Sequence, residues 1–386
     1  MDFSYSDEQR MLKDMVDRVV ADQYDFDSRT KIVDSDTGFS ADLWKQFAEL
    51  GLLAVPFSEA AGGFDGGGAE LMVVAEGFGR GLVVEPYLSS VVLAGTFIDA
   101  IADDDKKAAL IEPIVSGDTR YTLACYEPAG RYDPYWIETT AEKSGDGYTL
   151  NGFKSVVLNG DTADKLIVIA RTSGDTDAAD GLSAFIVDAD AQGVTRRGYP
   201  TIDGHRGADI TLENVSVAAD ALLGAEGKAA NALQHAIDRG IVALCSEAAG
   251  AMEIACDLTL QYLKDRKQFG VPIGSFQALQ HRMVDMRMGL EKVRSLTLWA
   301  ACSLEAPEAE RRQRLSAAKA MVGKAGRKVA EEAIQLFGGM GMMDESSISH
   351  YAKRIVMIDH YLGDREYHMA QLRDMTLAGQ STDHAA

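Results

Sequence analysis

A chain of 386 residues with a formal charge of −21 has material for two or three domains with buried cores. Its acidic surplus argues against nucleic acid or an anionic membrane as partner, since both reward lysine and arginine, while a local basic pocket for a small acidic substrate stays compatible with it. Apolar residues make up 46% and charged residues 25%, ordinary values for a soluble globular protein. No apolar run reaches membrane-spanning length. The N-terminal stretch MDFSYSDEQRMLKDMVDRVV is acidic where a signal peptide is basic. Cys125, Cys245, Cys256 and Cys302 show no CxxC pair or regular spacing, which predicts reduced, mostly buried thiols of a cytoplasmic protein, not a disulfide frame or a zinc site.

From Phe3 to about Ser116 the pattern is helical, with Met11, Met15, Val16 and Val19 at helix spacing. Ser6, followed three residues later by Gln9, has the form of a capping box, and Asp7 and Glu8 suit the positive helix end. Leu43, Phe47 and Leu50 repeat the period until Gly51 and Pro56 end it. A glycine-rich loop from Glu59 to Gly68 follows, and a further helix carries Glu70 to Gly79. Around Tyr121 the period changes to two. The runs from Tyr121 to Cys125, Leu166 to Ala170, Ala184 to Ile186 and Ile210 to Leu212 predict strands. Gly145-Asp146-Gly147-Tyr148-Thr149-Leu150-Asn151-Gly152 has the form of a hairpin, with turn residues on both sides of a short strand.

Long helices return over Asn231 to Asp265, Phe276 to Cys302 and Glu308 to Phe337, which reads as a four-helix-like bundle. Helices of that length commonly bury a second face in an oligomer, at least a dimer. The order of helices, strands and helices argues for segregated α+β layers instead of alternating βαβ units. No GxGxxG follows a strand, so a Rossmann fold is not expected. The expected domains are an N-terminal helical domain over 1–120, a middle β-barrel-like domain over 121–225 and a C-terminal helical bundle over 226–386.

Two stretches carry candidate chemistry. Asp265-Arg266-Lys267-Gln268-Phe269-Gly270, with Pro272-Ile273 and Phe276-Gln277 behind it, places a basic pair at a helix end. Such a pair is often a cap, but arginine also suits bidentate bridging of phosphate oxygens. Gln335-Leu336-Phe337-Gly338-Gly339-Met340-Gly341 ends a helix in several glycines. Glycines there serve a C-cap, and they also let a ligand lie against the main chain, where the Gln335 amide can bond a base or phosphate edge.

The second stretch resembles the adenine-binding turn of the acyl-CoA dehydrogenase family of flavoproteins, and the resemblance extends over nearly the whole chain. It implies that fold, FAD as cofactor, an acyl-CoA substrate and electron-transfer flavoprotein as acceptor. Arg266, Gln268, Phe269, Gln277, Gln335, Gly338 and Gly339 match the positions that grip the adenosine-diphosphate half of the flavin, which in the family they offer across a dimer interface. Gly204-His205-Arg206-Gly207-Ala208-Asp209 and Leu212-Glu213-Asn214-Val215-Ser216-Val217 follow the family's exit from the β domain. The local style of KSVVLNGDTADKL and GDREYH resembles the small-subunit type of pimeloyl-CoA dehydrogenase.

The resemblance breaks at the chain's own catalytic centre. Where the family has Thr-Glu-Pro-Gly-Ala-Gly-Ser-Asp, this chain has Tyr126-Glu127-Pro128-Ala129-Gly130-Arg131-Tyr132-Asp133, so Tyr126 (flavin) and Tyr132 (substrate) stand for the family's threonine and serine. Where the family has Trp-Ile-Thr, this chain has Val156-Val157-Leu158. Val156 and Leu158 then face the flavin without an aromatic wall or a hydroxyl donor, although the three alone read as a buried strand. Where the family has Tyr-Glu-Gly, whose glutamate is the base, this chain has Tyr361-Leu362-Gly363. Some members carry the base on the long helix, ahead of an arginine; that place here is Arg239 or Gly240, with Asp238 adjacent and expected to be solvated. Arg239 is a candidate substrate contact. Asp238 and Asp364 are weak candidate bases, and Asp364 and Glu366 match polar flavin contacts. His368 is a base by pKa and a structural hydrogen-bonder by position.

Phosphate-gripping residues are thus kept while the proton acceptor is lost. The reading that follows is the base-lacking subunit of a heteromeric acyl-CoA dehydrogenase, paired with a homologous chain in a heterotetramer. The alternatives are a self-sufficient homo-oligomer with a displaced acid, a flavin-dependent monooxygenase of the same fold, and a non-catalytic scaffold that binds acyl-CoA or protein.

Overall fold

The computed structural model describes residues 5–383, except for the side chains of 104–105 and those from 379 onward. Phe3 therefore lies outside the described residues. Helices α1 (Asp7–Gln23), α2 (Phe26–Val33), α3 (Ala41–Glu49) and α4 (Gly68–Gly81) are followed by a π-helical segment, Tyr87–Gly95, and by α5 (Thr96–Ile101) and α6 (Asp104–Val115). The strands of the main sheet are β1 (Tyr121–Ala124), β2 (Thr140–Ser144), β3 (Gly147–Leu158), β4 (Lys165–Arg171), β5 (Leu182–Asp188), β6 (Val194–Pro200), β7 (Arg206–Ala218) and β8 (Leu222–Leu223), and a short hairpin pairs β9 (Lys267–Gln268) with β10 (Val271–Pro272). Helices α7 (Ala230–Asp265), α8 (Gln277–Ala301), α9 (Glu308–Met321), α10 (Arg327–Phe337), α11 (Ser347–His360) and α12 (Arg365–Asp383) complete the chain, with a π turn, Val322–Gly326, between α9 and α10.

Contacts divide the chain into two units. One comprises the described parts of Met1–Lys31, Gly67–Val83 and Ile241–Ala386. In it α1 starts on the expected capping box, Gln9 N donating to Ser6 Oγ at 3.1 Å and Ser6 N to Gln9 Oε1 at 3.0 Å. Val16 and Val19 are buried, but Met11 is 72% exposed, because five residues ahead of Val16 is about 140° round the helix. The glycines of α4 explain its packing. A Cβ on Gly77 would lie 2.3 Å from Val16 Cγ1 and one on Gly81 2.5 Å from Val20 Cγ1, so α1 rides in a groove without side chains. Against α7 the approach is backbone to backbone: a Cβ on Gly79 would meet Glu247 O at 2.0 Å, and one on Gly250 would meet Glu76 O at 2.0 Å. A ring of charges fastens the same helices to α8. Glu76 accepts from Arg294 at 2.7 Å and Arg80 at 3.1 Å, and Glu253 accepts from Arg80 at 2.8 Å and Arg294 at 2.7 Å.

The other unit, Ile32–Gly66 and Val84–Gly240, carries the β-structure. Its sheet runs β6-β7-β3-β2-β4-β5-β8, antiparallel except where β4 pairs in parallel with β1 and at one position with β2. Leu166 to Arg171 of β4 are all buried, the continuous apolar run of a strand covered on both faces. Leu150, Val168, Phe185, Ile210 and Val215 belong to the same core. The expected hairpin is there, but its second strand is long. Asn151 and Gly152 lie inside β3, not at a turn, where the register against β7 shifts. A Cβ on Gly152 would stand 2.4 Å from Thr139 Oγ1, so the glycine serves a close approach. Strand β6, VTRRGYP, was not expected; its arginines and terminal proline mark an edge strand and hide the alternation.

Glu85 in this unit is 3% exposed; Ser40 N donates to its Oε1 at 3.2 Å, and its Oε2 has no partner among the described residues. Burial pushes the carboxyl from an ordinary 4.5 up to about 7. Between those values the folded chain holds a proton that the unfolded chain has released, so stability falls as pH rises through this window. Glu85→Gln removes the slope. We predict a variant more stable than the parent by about 3 kcal/mol at pH 8, the gain vanishing near pH 4. Denaturant titrations at the two pH values check this, and an equal effect at both contradicts it.

Candidate functional site

At one end of the helical unit, α7 runs out at Asp265 and α10 at Phe337. The Tyr262 and Phe337 rings stack 4.3 Å apart at 15°, which brings the Arg266 turn beside the glycine turn. Arg282 Nε on α8 donates to Glu332 Oε2 on α10 at 2.5 Å and ties the third element in. The matched residues gathered here are exposed. The Arg266 guanidinium and the side-chain amides of Gln268, Gln277 and Gln335 bond no described residue. Gly338 takes φ 65°, and a Cβ on either Gly338 or Gly339 would meet nothing within 4 Å. Phe269 is 92% exposed at φ 55° and edge-on to Phe276 at 6.2 Å. A free guanidinium, three free amides, an open glycine surface and a bare aromatic ring fit a phosphate-bearing ligand with a flat base. They suit the adenosine-diphosphate half of FAD.

In the same unit, α11 ends at the turn Tyr361-Leu362-Gly363. Leu362 is 8% exposed and held at φ 55°, a region that non-glycine residues seldom enter. Lys319 Nζ from α9 donates to Asp359 O at 2.9 Å and to Gly363 O at 2.6 Å. His368 Nε2 bonds Leu362 O at 3.0 Å and its Nδ1 bonds Ser316 Oγ at 3.2 Å. Burial, helped by Lys319, pulls the imidazole down to about 4, and burial pulls the Lys319 ammonium down to about 8. His368 is therefore neutral at ordinary pH and serves as the structural hydrogen-bonder. Asp364 is also engaged, its Oδ1 accepting from Tyr367 N at 2.8 Å as the cap of α12. The Glu366 side chain is 79% exposed beside Arg365.

In the β unit, Ser155 N donates to Tyr126 O at 2.9 Å and Thr122 Oγ1 to Leu158 O at 2.6 Å, so Tyr126, Val156 and Leu158 share one edge of β1 and β3. Beneath them Lys154, fully buried, donates to Glu127 Oε1 at 2.6 Å. Glu127 also accepts from Glu138 N, Thr139 N and Thr139 Oγ1 at 2.6, 3.0 and 2.6 Å. Burial alone would raise this carboxyl; the lysine and the donors outweigh it and hold it below the carboxylate range. Val156 corrects the buried-strand expectation: it is 50% exposed at φ 52°. The register of β3 slips between Lys154 and Val157 and turns it out of the ladder. Val157 is buried and Leu158 half-buried.

Asp238 corrects a second expectation. It is 2% exposed, not solvated, and accepts from Gln234 Nε2 at 2.7 Å, while Gln234 Oε1 accepts from the Tyr135 hydroxyl at 3.1 Å. One turn of α7 separates the acid from the amide, which lets them pair. Arg239 Nε lies 3.3 Å from His235 Nε2, and Tyr132 is half-buried in the loop after Tyr126. Sequence reasoning missed Lys319 and the Glu127–Lys154 pair. For the pair a signal was present: both residues stay in segments where the resemblance otherwise breaks.

Among the described residues no group of His, Cys, Asp or Glu could hold a metal ion, and no helix is long and apolar enough to cross a membrane. Cys125, Cys245 and Cys256 are buried free thiols, and Cys302 is exposed.

Comparison with known proteins agrees with this geometry. Family models for the N-terminal, middle and C-terminal domains of acyl-CoA dehydrogenase match residues 6–118, 122–215 and 218–376. A probable acyl-CoA dehydrogenase of Bacillus subtilis, YngJ, is 31% identical over 90% of this chain and 92% of that protein. Among solved structures, the Tcur3481-Tcur3483 steroid ACAD is 29% identical with TM-score 0.86, covering 97% of this chain and 99% of that one. The ChsE4-ChsE5 complex of Mycobacterium tuberculosis is 25% identical with TM-score 0.88, covering 98% and 99%. The chain belongs to the acyl-CoA dehydrogenase family, the FAD-dependent oxidoreductases that act on the CH–CH bond of an acyl-CoA, with the family's fold of helical, β and helical domains.

Proposed function

We propose that the chain takes part in α,β-desaturation of an acyl-CoA as the subunit without a proton acceptor, in a heteromeric assembly whose homologous partner carries the glutamate. The observation that carries this reading is Leu362, a hydrocarbon side chain, 8% exposed, between the tyrosine and glycine that flank the base in the family. A leucine takes no α-proton at any pH. Asp364 is spent on the cap of α12 and His368 on Leu362 O, so neither stands in for the base.

FAD, when bound, supplies the acceptor for the β-hydrogen. Toward the FAD of a neighbouring subunit this chain would offer the Arg266 guanidinium for the pyrophosphate oxygens, the amides of Gln268, Gln277 and Gln335 for phosphate and base edges, and Gly338 and Gly339 as a bare floor under the adenine. Phe269 covers the ligand and excludes water. On the β side, Val156 in place of an aromatic wall and Leu158 in place of a hydroxyl donor leave Tyr126 to bond the ring system and widen the room for a bulky acyl group. Tyr132 and Arg239 face the thioester end. An electron-transfer flavoprotein would serve the assembly as electron acceptor. The steroid ACAD and the ChsE4-ChsE5 complex, both similar over nearly their whole length, support a bulky substrate and a two-chain assembly.

A second reading, a self-sufficient enzyme with Asp238 as base, is favoured by the burial of that acid at 2% exposure. In that case Asp238→Asn abolishes turnover and leaves flavin bound.

Two outcomes are expected. Expressed alone, the chain shows no acyl-CoA-dependent dye reduction, and co-expression with a glutamate-bearing homologue restores it; full activity without a partner sinks the subunit reading. In the assembled complex, Arg266→Ala weakens FAD retention about tenfold to a hundredfold, the cost of one bidentate charge-assisted contact. The ratio of flavin to protein absorbance after dialysis measures it, and unchanged retention removes Arg266 from the site.

A further inference from the structure

A leucine at φ 55° is not held there by its own preference, since glycine or asparagine would be favoured in that region. What holds it is a set of buried groups from three helices, none of which acts on the side chain at 362. The carbonyls of Asp359 and Gly363 both receive the Lys319 ammonium, at 2.9 and 2.6 Å. The carbonyl between them, Leu362 O, receives His368 Nε2 at 3.0 Å. A carbonyl only accepts, so Nε2 carries the proton and Nδ1 accepts from the Ser316 hydroxyl at 3.2 Å. Both clamping side chains are buried, Lys319 at 0% and His368 at 3% exposure. Gly363 makes room for the imidazole: at φ 99°, a Cβ there would stand 2.6 Å from His368 Nε2. On the other flank the Arg354 guanidinium lies 5.6 Å from the Tyr361 ring and is itself fixed by Glu247 at 2.6 and 2.7 Å.

We propose that Lys319 and His368 are positioning residues that fix the main chain on both sides of position 362 whatever side chain stands there, so that the absent proton acceptor is a one-residue loss on an intact mount. This rests on the reading of Leu362 as the vacated base position. The bonds to these carbonyls do not depend on which side chain the central residue carries. A carboxylate introduced at 362 takes up the same αL main-chain geometry, and the lysine beneath keeps its two carbonyl partners. Lys319 also sits one residue pair before the π turn Val322–Gly326, where a Cβ on Gly323 would meet Asp359 Oδ1 at 2.2 Å. The irregular turn thus lets α9 and α11 approach closely enough for the lysine to span both carbonyls.

The test has two arms, both on the full chain. In the first, hydrogen exchange is followed by mass spectrometry in the wild type and in Lys319→Met, Lys319→Arg, His368→Phe and His368→Asn. Lys319→Met and His368→Phe are expected to raise exchange of the amides of 361–364 at least tenfold while the rest of the bundle is unchanged. The arginine and asparagine variants, which retain a donor, restore most of the protection. Exchange that does not change, or that rises evenly along the chain, overturns the proposal, and this arm needs neither flavin nor substrate.

In the second arm, Leu362→Glu is assayed for acyl-CoA-dependent dye reduction with added FAD. Turnover about a hundredfold above the wild type's background signal is expected, the contribution of a placed general base. Adding Lys319→Met or His368→Phe is expected to cancel it, and Lys319→Arg to spare it. A Leu362→Glu enzyme that is indifferent to the clamp variants, or one without turnover, overturns the one-residue claim. Failure of the subunit reading itself shows separately, as activity of the unmodified chain.

Discussion

A lysine ammonium with no exposure to water needs partners that replace its lost hydration, and in the β unit Lys154 finds them in a carboxylate around which a loop is organised. Lys154 on β3 reaches Glu127, two residues beyond Cys125 at the exit of β1, and Glu127 draws in the backbone of Glu138 and Thr139 on the far side of the loop. One carboxylate thereby fixes the start and the end of the segment that carries Tyr126, Tyr132 and Tyr135. Breaking such a pair by removing one partner costs about 3–5 kcal/mol, because the other charge stays buried. The loop is held from below by ionic contacts, and Tyr132 is left half-buried above them.

The helical unit uses the same division. Structural charges are sequestered in the ring of Glu76, Arg80, Glu253 and Arg294 and in the Arg354–Glu247 pair. Arg266 and three glutamines at the end of the bundle bond no described residue. Between these extremes lies the turn at Leu362, held by Lys319 and His368 and yet presenting a side chain with no acid–base chemistry. The chain thus keeps its unpaired donors and its turn support while hydrocarbon stands at position 362, the asymmetry from which the subunit reading is proposed.

Much of this was legible in the sequence. The switch of hydrophobic period near Tyr121, the long helices after Asn231 and the capping box at Ser6 all rest on local rules, and the structure follows them. What failed to show was set by tertiary context. Asp238 looks like a surface acid because a helix written in one dimension does not reveal that several of its faces are covered. Val156 looks like core because alternation is blind to a register slip in β3. The edge strand β6 was hidden by its arginines. Lys319 was invisible for a different reason: its role is to bond main-chain carbonyls, and a carbonyl has no letter in the sequence.

The seating of α4 has a mechanical consequence. With glycines toward α1 on one flank and main chain against main chain toward α7 on the other, the helix has no layer of side chains that could be rearranged to absorb a change in either neighbour. It can tilt or slide as a rod together with them, but it cannot roll about its own axis without driving Val16 and Val20 into its backbone. A displacement of α1 therefore bears on α4 and, through it, on the stretch of α7 around Glu247, whose carboxylate holds Arg354.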